Sequence, residues 1–98
     1  MPVLIRYEPE SLSREAYDKV NETLAGQGNE GPPGPLRIHV LFGEEPNLRV
    51  SEIWDSEDAW RRWYEGSLQG ALSDAGVDLP EPEVIQVHEL WGSGLQPT

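Results

Sequence analysis

Apolar and polar positions alternate from Val3 to Glu8, with Val3, Ile5 and Tyr7 on one side and Leu4, Arg6 and Glu8 on the other. A period of two carried by β-branched and aromatic residues predicts a first strand. After Ser13 the period changes. Ala16, Tyr17, Val20 and Leu24 recur at helical spacing, which predicts a helix capped by Ser13, stapled by Leu12 on Tyr17 and closed near Gly26. Gly26, Gly28, Gly31 and Gly34, interleaved with Pro32, Pro33 and Pro35, sustain neither helix nor central strand, so 26–35 reads as an irregular loop. Its composition leaves open whether it closes over a site or simply connects.

Leu36, Ile38, Val40 and Phe42 then alternate with Arg37, His39 and Leu41, and a second alternating run, Leu48 to Trp54, follows Glu44-Glu45-Pro46-Asn47. The two runs predict a hairpin. Asp55 or Ser56 caps a second helix, Glu57 and Asp58 suit its positive end, and Trp60, Trp63, Tyr64, Leu68, Ala71, Leu72 and Ala75 form one stripe. Gly66 and Gly70 each weaken it by about 1 kcal/mol relative to alanine, which predicts a kink or break before Gly76 ends it. Pro80 and Pro82 lead into a fourth strand spanning Glu83 to Trp91, and 92–98 reads as a tail.

The order βαββαβ predicts a single α+β domain over 1–91 with a ferredoxin-like fold, a four-stranded antiparallel sheet carrying both helices on one face. The fourth strand is apolar on both sides, at Ile85, Val87 and Trp91 and at Val84 and Leu90, and the first strand is similar. Such a sheet is too apolar to leave its second face in water, so a homodimer pressed together through the open sheet faces is expected.

Charge and composition narrow the partners. Eighteen acidic residues against seven basic ones give a formal charge of −11, a field that repels phosphate backbones and anionic bilayers, so neither nucleic acid nor a membrane is an expected partner. Cysteine is absent, which removes disulfides, thiolate nucleophiles and cysteine-held metals. No run approaches the roughly 18 apolar residues of a membrane span. Met1 to Arg6 lacks the pattern of a secretion signal, so a cytoplasmic location is expected.

The run Glu52, Trp54, Ser56, Asp58 and Ala59, a Glu-x-Trp-x-Ser-x-acid-Ala pattern joining strand to helix, resembles the antibiotic-biosynthesis-monooxygenase-like members of the dimeric α+β barrel superfamily. The resemblance covers nearly the whole chain, from Val3 to Trp91. It implies a dimeric barrel and a small-molecule function, and its cofactor-free oxygenases imply no bound cofactor. Those oxygenases place an asparagine and a tryptophan one turn apart on the second helix, where this chain has Ser56 before Trp60 and Ala59 before Trp63. Haem-degrading relatives use an asparagine on the first strand and a histidine on the second helix. Neither is present here, which argues against haem chemistry. Simple relatives carry a histidine four residues after the junction alanine, a position that here is Trp63.

Four tryptophans in so short a chain, three of them at or just after this junction, suit the walls of a pocket for a flat conjugated ligand such as a polyketide phenol or quinol. Tyr17, Trp60, Trp63 and Tyr64 are the candidate ligand-binding residues, although large rings also serve as ordinary core. His39 and His88, the two histidines, are the candidate acid–base groups for a phenolic hydroxyl. They show no H-x-H or H-E-x-x-H spacing, so no metal is expected. Arg6, Arg37 and Arg49 interrupt the strands, so any that faces the core is expected to be paired, either with a ligand's anionic oxygen or with Glu52 or Glu8. Gly26-Gln27-Gly28-Asn29-Glu30-Gly31 spells a dinucleotide fingerprint, but it follows a helix and runs into prolines, so it lacks the helix N-terminus that holds a pyrophosphate. The functional expectation is a small-molecule enzyme of aromatic or polyketide-type metabolism, with a cofactor-independent monooxygenase or a cyclase or isomerase as its forms. The alternative is a non-catalytic ligand-binding or accessory dimer of the same fold.

Overall fold

A computed structural model describes residues 1–28, 31 and 33–92. The tail expected beyond Gly92 and three positions of the 26–35 loop lie outside the described residues. Strands β1 (Val3–Tyr7), β2 (Leu36–Phe42), β3 (Arg49–Trp54) and β4 (Glu83–Gln86) form one antiparallel sheet in the order β2-β3-β1-β4. Helix α1 (Arg14–Gly26) and a second helical rod cover one face. That rod is made of α2 (Glu57–Trp63), a π-helical turn (Tyr64–Leu68) and α3 (Gln69–Asp74). The arrangement is an α+β ferredoxin-like fold.

Caps decide where the helices begin. The Ser13 hydroxyl accepts from the Ala16 amide at 3.1 Å, and Ser56 does the same for Ala59 at 3.2 Å, each satisfying one of the orphan donors of a first turn. In the hairpin, Gly43 holds φ +100, and a Cβ there would meet the Asn47 carbonyl oxygen at 3.1 Å, so the turn between β2 and β3 requires glycine.

Register sorts the strand residues into two faces. Val3 lies opposite Trp54, Ile5 opposite Glu52 and Val84, and Tyr7 opposite Val50, all on the helix-covered side. Val3, Ile5, Tyr7, Val50 and Trp54 join Val20, Leu24, Trp60, Tyr64, Leu68 and Ala71 in one buried cluster. Leu4, Arg6, Ser51, Ile53 and Ile85 occupy the other face.

Three sequence expectations change. Strict alternation put Leu36 on the same side as Ile38, Val40 and Phe42. A β-bulge between Leu36 and Ile38 instead sets Leu36 opposite Trp54 and Ile38 opposite Ile53, so Leu36 packs on the core while the other three face outward. The extra residue, Arg37, pairs with Asp55 at 3.1 Å.

The fourth strand ends at Gln86 and not at Trp91. It lies at the sheet edge against β1, and after Val87 N–H reaches the Pro2 carbonyl at 3.0 Å the ladder meets a residue with no N–H to give. Apolar content alone does not extend a strand past its partner. Finally, the expected break in the second helix is a wide π turn containing Gly66. Such a turn adds a residue to the helical repeat, and Trp63, Leu68 and Leu72 all come to line one cavity.

Candidate functional site

Glu52 stands at the middle of β3 on the inward face, opposite Ile5 and His39, with its side chain 3% exposed. A carboxylate so deeply buried is tolerated where its lone pairs are met. Oε1 receives the Tyr7 hydroxyl at 2.7 Å and the Trp54 indole N–H at 3.0 Å, and Oε2 lies 2.6 Å from His39 Nδ1. Behind Tyr7, the Trp60 indole donates to the phenol oxygen at 2.7 Å.

The direction of each bond follows from what each group can do. An indole N–H only donates, so Tyr7 accepts from Trp60 and sends its own hydrogen to Glu52. A carboxylate only accepts, so His39 carries hydrogen on Nδ1, and in the neutral ring its Nε2 accepts from the Tyr17 hydroxyl at 2.7 Å. The result is a chain of hydrogen bonds from the sealed interior, through Glu52 and His39, to Tyr17. The His39 side chain is 35% exposed, so the chain runs from core to opening.

Tyr7 bears the mark of this setting. Burial foremost, then the neighbouring Glu52 charge, push its phenol far above the ordinary value of 10.0. A raised value in the folded state means stability complete below about pH 10 and lost as pH rises, because the unfolded chain releases this proton first. Urea unfolding between pH 9 and 11 is expected to show stability falling with a slope approaching about 1.4 kcal/mol per pH unit from this group. Tyr7→Phe removes that share of the slope, and an equal slope in the two proteins would rule the assignment out.

The chain of bonds opens on a cavity between α1, the second helical rod and the sheet. An inner part of about 70 Å³ is walled by Val20, Leu24, Val50, Leu68, Leu72 and Val77, with Tyr7, Tyr17, His39, Glu52 and Trp63 also lining it. An outer cleft of about 570 Å³ adds Ala25, Gly31, Pro33 and Leu36 and shares Tyr17, His39, Glu52 and Trp63. Among the described residues, no lysine or arginine lines either part. The Trp63 ring packs against Trp54 at 5.3 Å, and its buried Nε1 has no hydrogen-bond partner among the described residues.

Of the residues singled out in the sequence, Tyr17, His39 and Trp63 are brought together at this cavity. Trp60 is not. It is 0% exposed, stacked on Tyr64 with centroids 4.9 Å apart, and its N–H is spent on Tyr7. Tyr64 is buried and borders a separate groove beside Gly76 and Asp78. His88 is exposed beyond the end of β4, since that strand stops at Gln86.

Of the arginines, Arg6 finds one of its expected partners and none reaches Glu52. Arg6 pairs with Glu8 at 3.0 Å and Glu83 at 3.5 Å, Arg37 takes Asp55, and Arg49 donates to the Pro9 carbonyl at 2.7 Å. Glu52 is thus left to a histidine and two aromatic donors. Sequence reasoning missed it as the centre of the site, although a carboxylate flanked at i±2 by Val50 and Trp54 in an alternating strand is a detectable sign of an inward charge.

No known family profile matches the chain. Over 67 residues, 66% of the chain, it is 28% identical to a protein of Mycobacterium tuberculosis (strain ATCC 25618 / H37Rv) described as a candidate toxin HigB3, and the match spans 59% of that relative's length. The fold is similar to a crystal structure from Chloroflexus aurantiacus J-10-fl, described as a candidate antibiotic biosynthesis monooxygenase. The TM-score is 0.59 with 15% identity, covering 98% of this chain and 100% of that one. At that identity the likeness establishes the fold.

Proposed function

We propose that the protein is a small-molecule enzyme that moves a proton at a neutral phenolic or enolic substrate bound in the cavity between helices and sheet. The observation that carries this reading is the Glu52–His39 pair, a buried carboxylate orienting an imidazole at 2.6 Å beside an opening. A sealed carboxylate behind a histidine fixes the ring's tautomer and balances the charge it acquires on taking a proton, as general acid–base chemistry requires. The outer cleft, about 570 Å³, falls within the roughly 300–1,000 Å³ usual for small-molecule sites. Its lack of a lining lysine or arginine among the described residues disfavours phosphorylated or carboxylated ligands and favours neutral rings.

The specific form is cofactor-independent oxygenation, suggested by the sequence resemblance and by the monooxygenase description of the structural neighbour. A deprotonated phenol whose keto tautomer carries a ring CH₂ would react with dioxygen, that carbon losing both hydrogens and becoming a carbonyl with one oxygen atom while the other leaves as water. Tryptophan fluorescence titrated with hydroquinones, followed by an oxygen electrode, tests the proposal. Saturable quenching and oxygen uptake that His39→Gln removes are expected. Quenching with no uptake for any phenol or quinol would favour the non-catalytic binding dimer.

The proposal includes a second copy of the chain. Val40 and Phe42, 44% and 47% exposed, share the helix-free face with Leu4, Ile38, Ile53 and Ile85. A flat apolar sheet face of this kind is self-complementary under two-fold symmetry. Phe42→Asp is expected to turn a dimer into a folded monomer in sedimentation velocity at micromolar concentration. A wild-type protein that already sediments as one copy at tens of micromolar would remove this part of the proposal.

A further inference from the structure

Both ring nitrogens of His39 are engaged, Nδ1 by Glu52 at 2.6 Å and Nε2 by Tyr17 at 2.7 Å. A ligand entering the cleft therefore meets no open imidazole nitrogen. It meets the Tyr17 oxygen, whose one hydrogen points back at His39 and whose remaining lone pair is spoken for by no other described residue. Tyr17 lines the inner and the outer cavity alike. We infer that Tyr17 is the side chain that exchanges the proton with the bound molecule, with His39 and Glu52 behind it as the group that takes and returns its proton.

Several features outside this pair support the assignment. Tyr7 and Trp54 occupy Glu52 Oε1, with the Trp60 indole fixing the direction of the Tyr7 hydroxyl, so Oε2 is the oxygen left to His39, and in the neutral ring the tautomer that makes Nε2 an acceptor is enforced from the core outward. Tyr7, the other phenol in the chain of bonds, cannot substitute. It is 6% exposed, and burial holds its proton in place. The Arg14 guanidinium lies 5.6 Å from the Tyr17 ring centroid, positioned to favour negative charge developing on that ring, although Asp18 at 3.0 Å takes part of its field. No comparable positive group approaches Tyr7 or Tyr64 among the described cation–aromatic pairs, where Arg61 sits over Trp60.

The inference rests on the acid–base reading of Glu52 and His39 but not on the oxygenase form of it. A neutral ester probe isolates the step. With p-nitrophenyl acetate, the Tyr17 oxygen attacks the ester carbonyl and its proton passes to His39 Nε2. The new bond joins Tyr17 to the acetyl carbon, and the ester C–O bond breaks to release p-nitrophenolate. Mass spectrometry then locates the acetyl group.

The expected result is acetylation of Tyr17 that is slowed about 100-fold in His39→Gln, the lower end of what a general base contributes. The His39 side chain is partly exposed, so this variant is expected to fold, which circular dichroism checks. Equal Tyr17 acetylation with and without His39, or undiminished p-nitrophenolate turnover in Tyr17→Phe, overturns the inference. A second readout needs no variant. ¹⁵N spectra of histidine-labelled wild-type protein should show His39 protonated at Nδ1 and bare at Nε2, and hydrogen on Nε2 in the neutral ring overturns it as well. The two proposals fail separately. Acetylation that depends on His39 with no oxygen uptake from any quinol removes the oxygenase and leaves Tyr17 standing, whereas oxygen uptake with indifferent Tyr17 acetylation does the reverse.

Discussion

Trp60→Ala is expected to cost about 3 to 5 kcal/mol of stability, the range for emptying a large buried ring from a packed core. Trp60 is 0% exposed, stacks on Tyr64 at an 18° interplanar angle and donates to Tyr7 at 2.7 Å. Its loss opens a void beside the π turn and releases Tyr7 from one of its two partners. Domains of ordinary size hold about 5–15 kcal/mol in all, so a large part of the native stability goes with this one side chain. Trp60→Phe keeps most of the packing, forfeits the hydrogen bond and is expected to cost less than half as much. Urea unfolding followed by circular dichroism measures both. A shift below about 1 kcal/mol in the alanine variant would show that Trp60 is not the sealed core ring described above.

Glu52→Gln is expected to have the largest effect on chemistry with a smaller one on folding. The amide oxygen can still accept from Tyr7 and Trp54, but the position facing His39 becomes an N–H₂ donor. His39 Nδ1 must then accept, its hydrogen moves to Nε2, and that nitrogen donates to Tyr17 where it formerly accepted. The hydrogen-bond chain reverses and the site loses its base. Where a carboxylate-to-amide change inverts a catalytic histidine, turnover falls by roughly 10³- to 10⁴-fold, and a loss of that order is expected for any phenol or quinol the protein turns over. Glu52→Leu, by contrast, strands the hydroxyl of Tyr7 and the indole of Trp54 without an acceptor and should fail chiefly by unfolding. Steady-state kinetics at a fixed pH separates the two variants. Turnover within tenfold of wild type in Glu52→Gln would mean that the carboxylate does not serve the chemistry.

The contrast between Trp60 and Trp63 shows how far a linear pattern reaches. Both belong to the apolar stripe of the second helix, and spacing gives both the same standing as pocket walls. They part because α2 ends in a π turn, which carries Trp63 and Leu68 together to the cavity while Trp60 stays beneath Tyr64. Similarly, His39 and His88 were equivalent as isolated histidines in apolar strands. Pairing decided between them, since β2 holds His39 opposite Glu52, whereas β4 runs out of hydrogen-bonding partners at Pro2 before His88 is reached.

The element order, both helix caps, the hairpin and the helix-free apolar face are present in the residue sequence, because caps, turns and alternation are set by neighbours a few positions apart. The Tyr17–His39–Glu52–Tyr7–Trp60 chain is not. Its members come from α1, β2, β3, β1 and α2, and their junction exists only once strand register has set Glu52 against His39 and the helices have closed above them. Local spacing encodes which face a side chain occupies, while the distance between two polar atoms far apart along the chain is decided by how the packed layers meet.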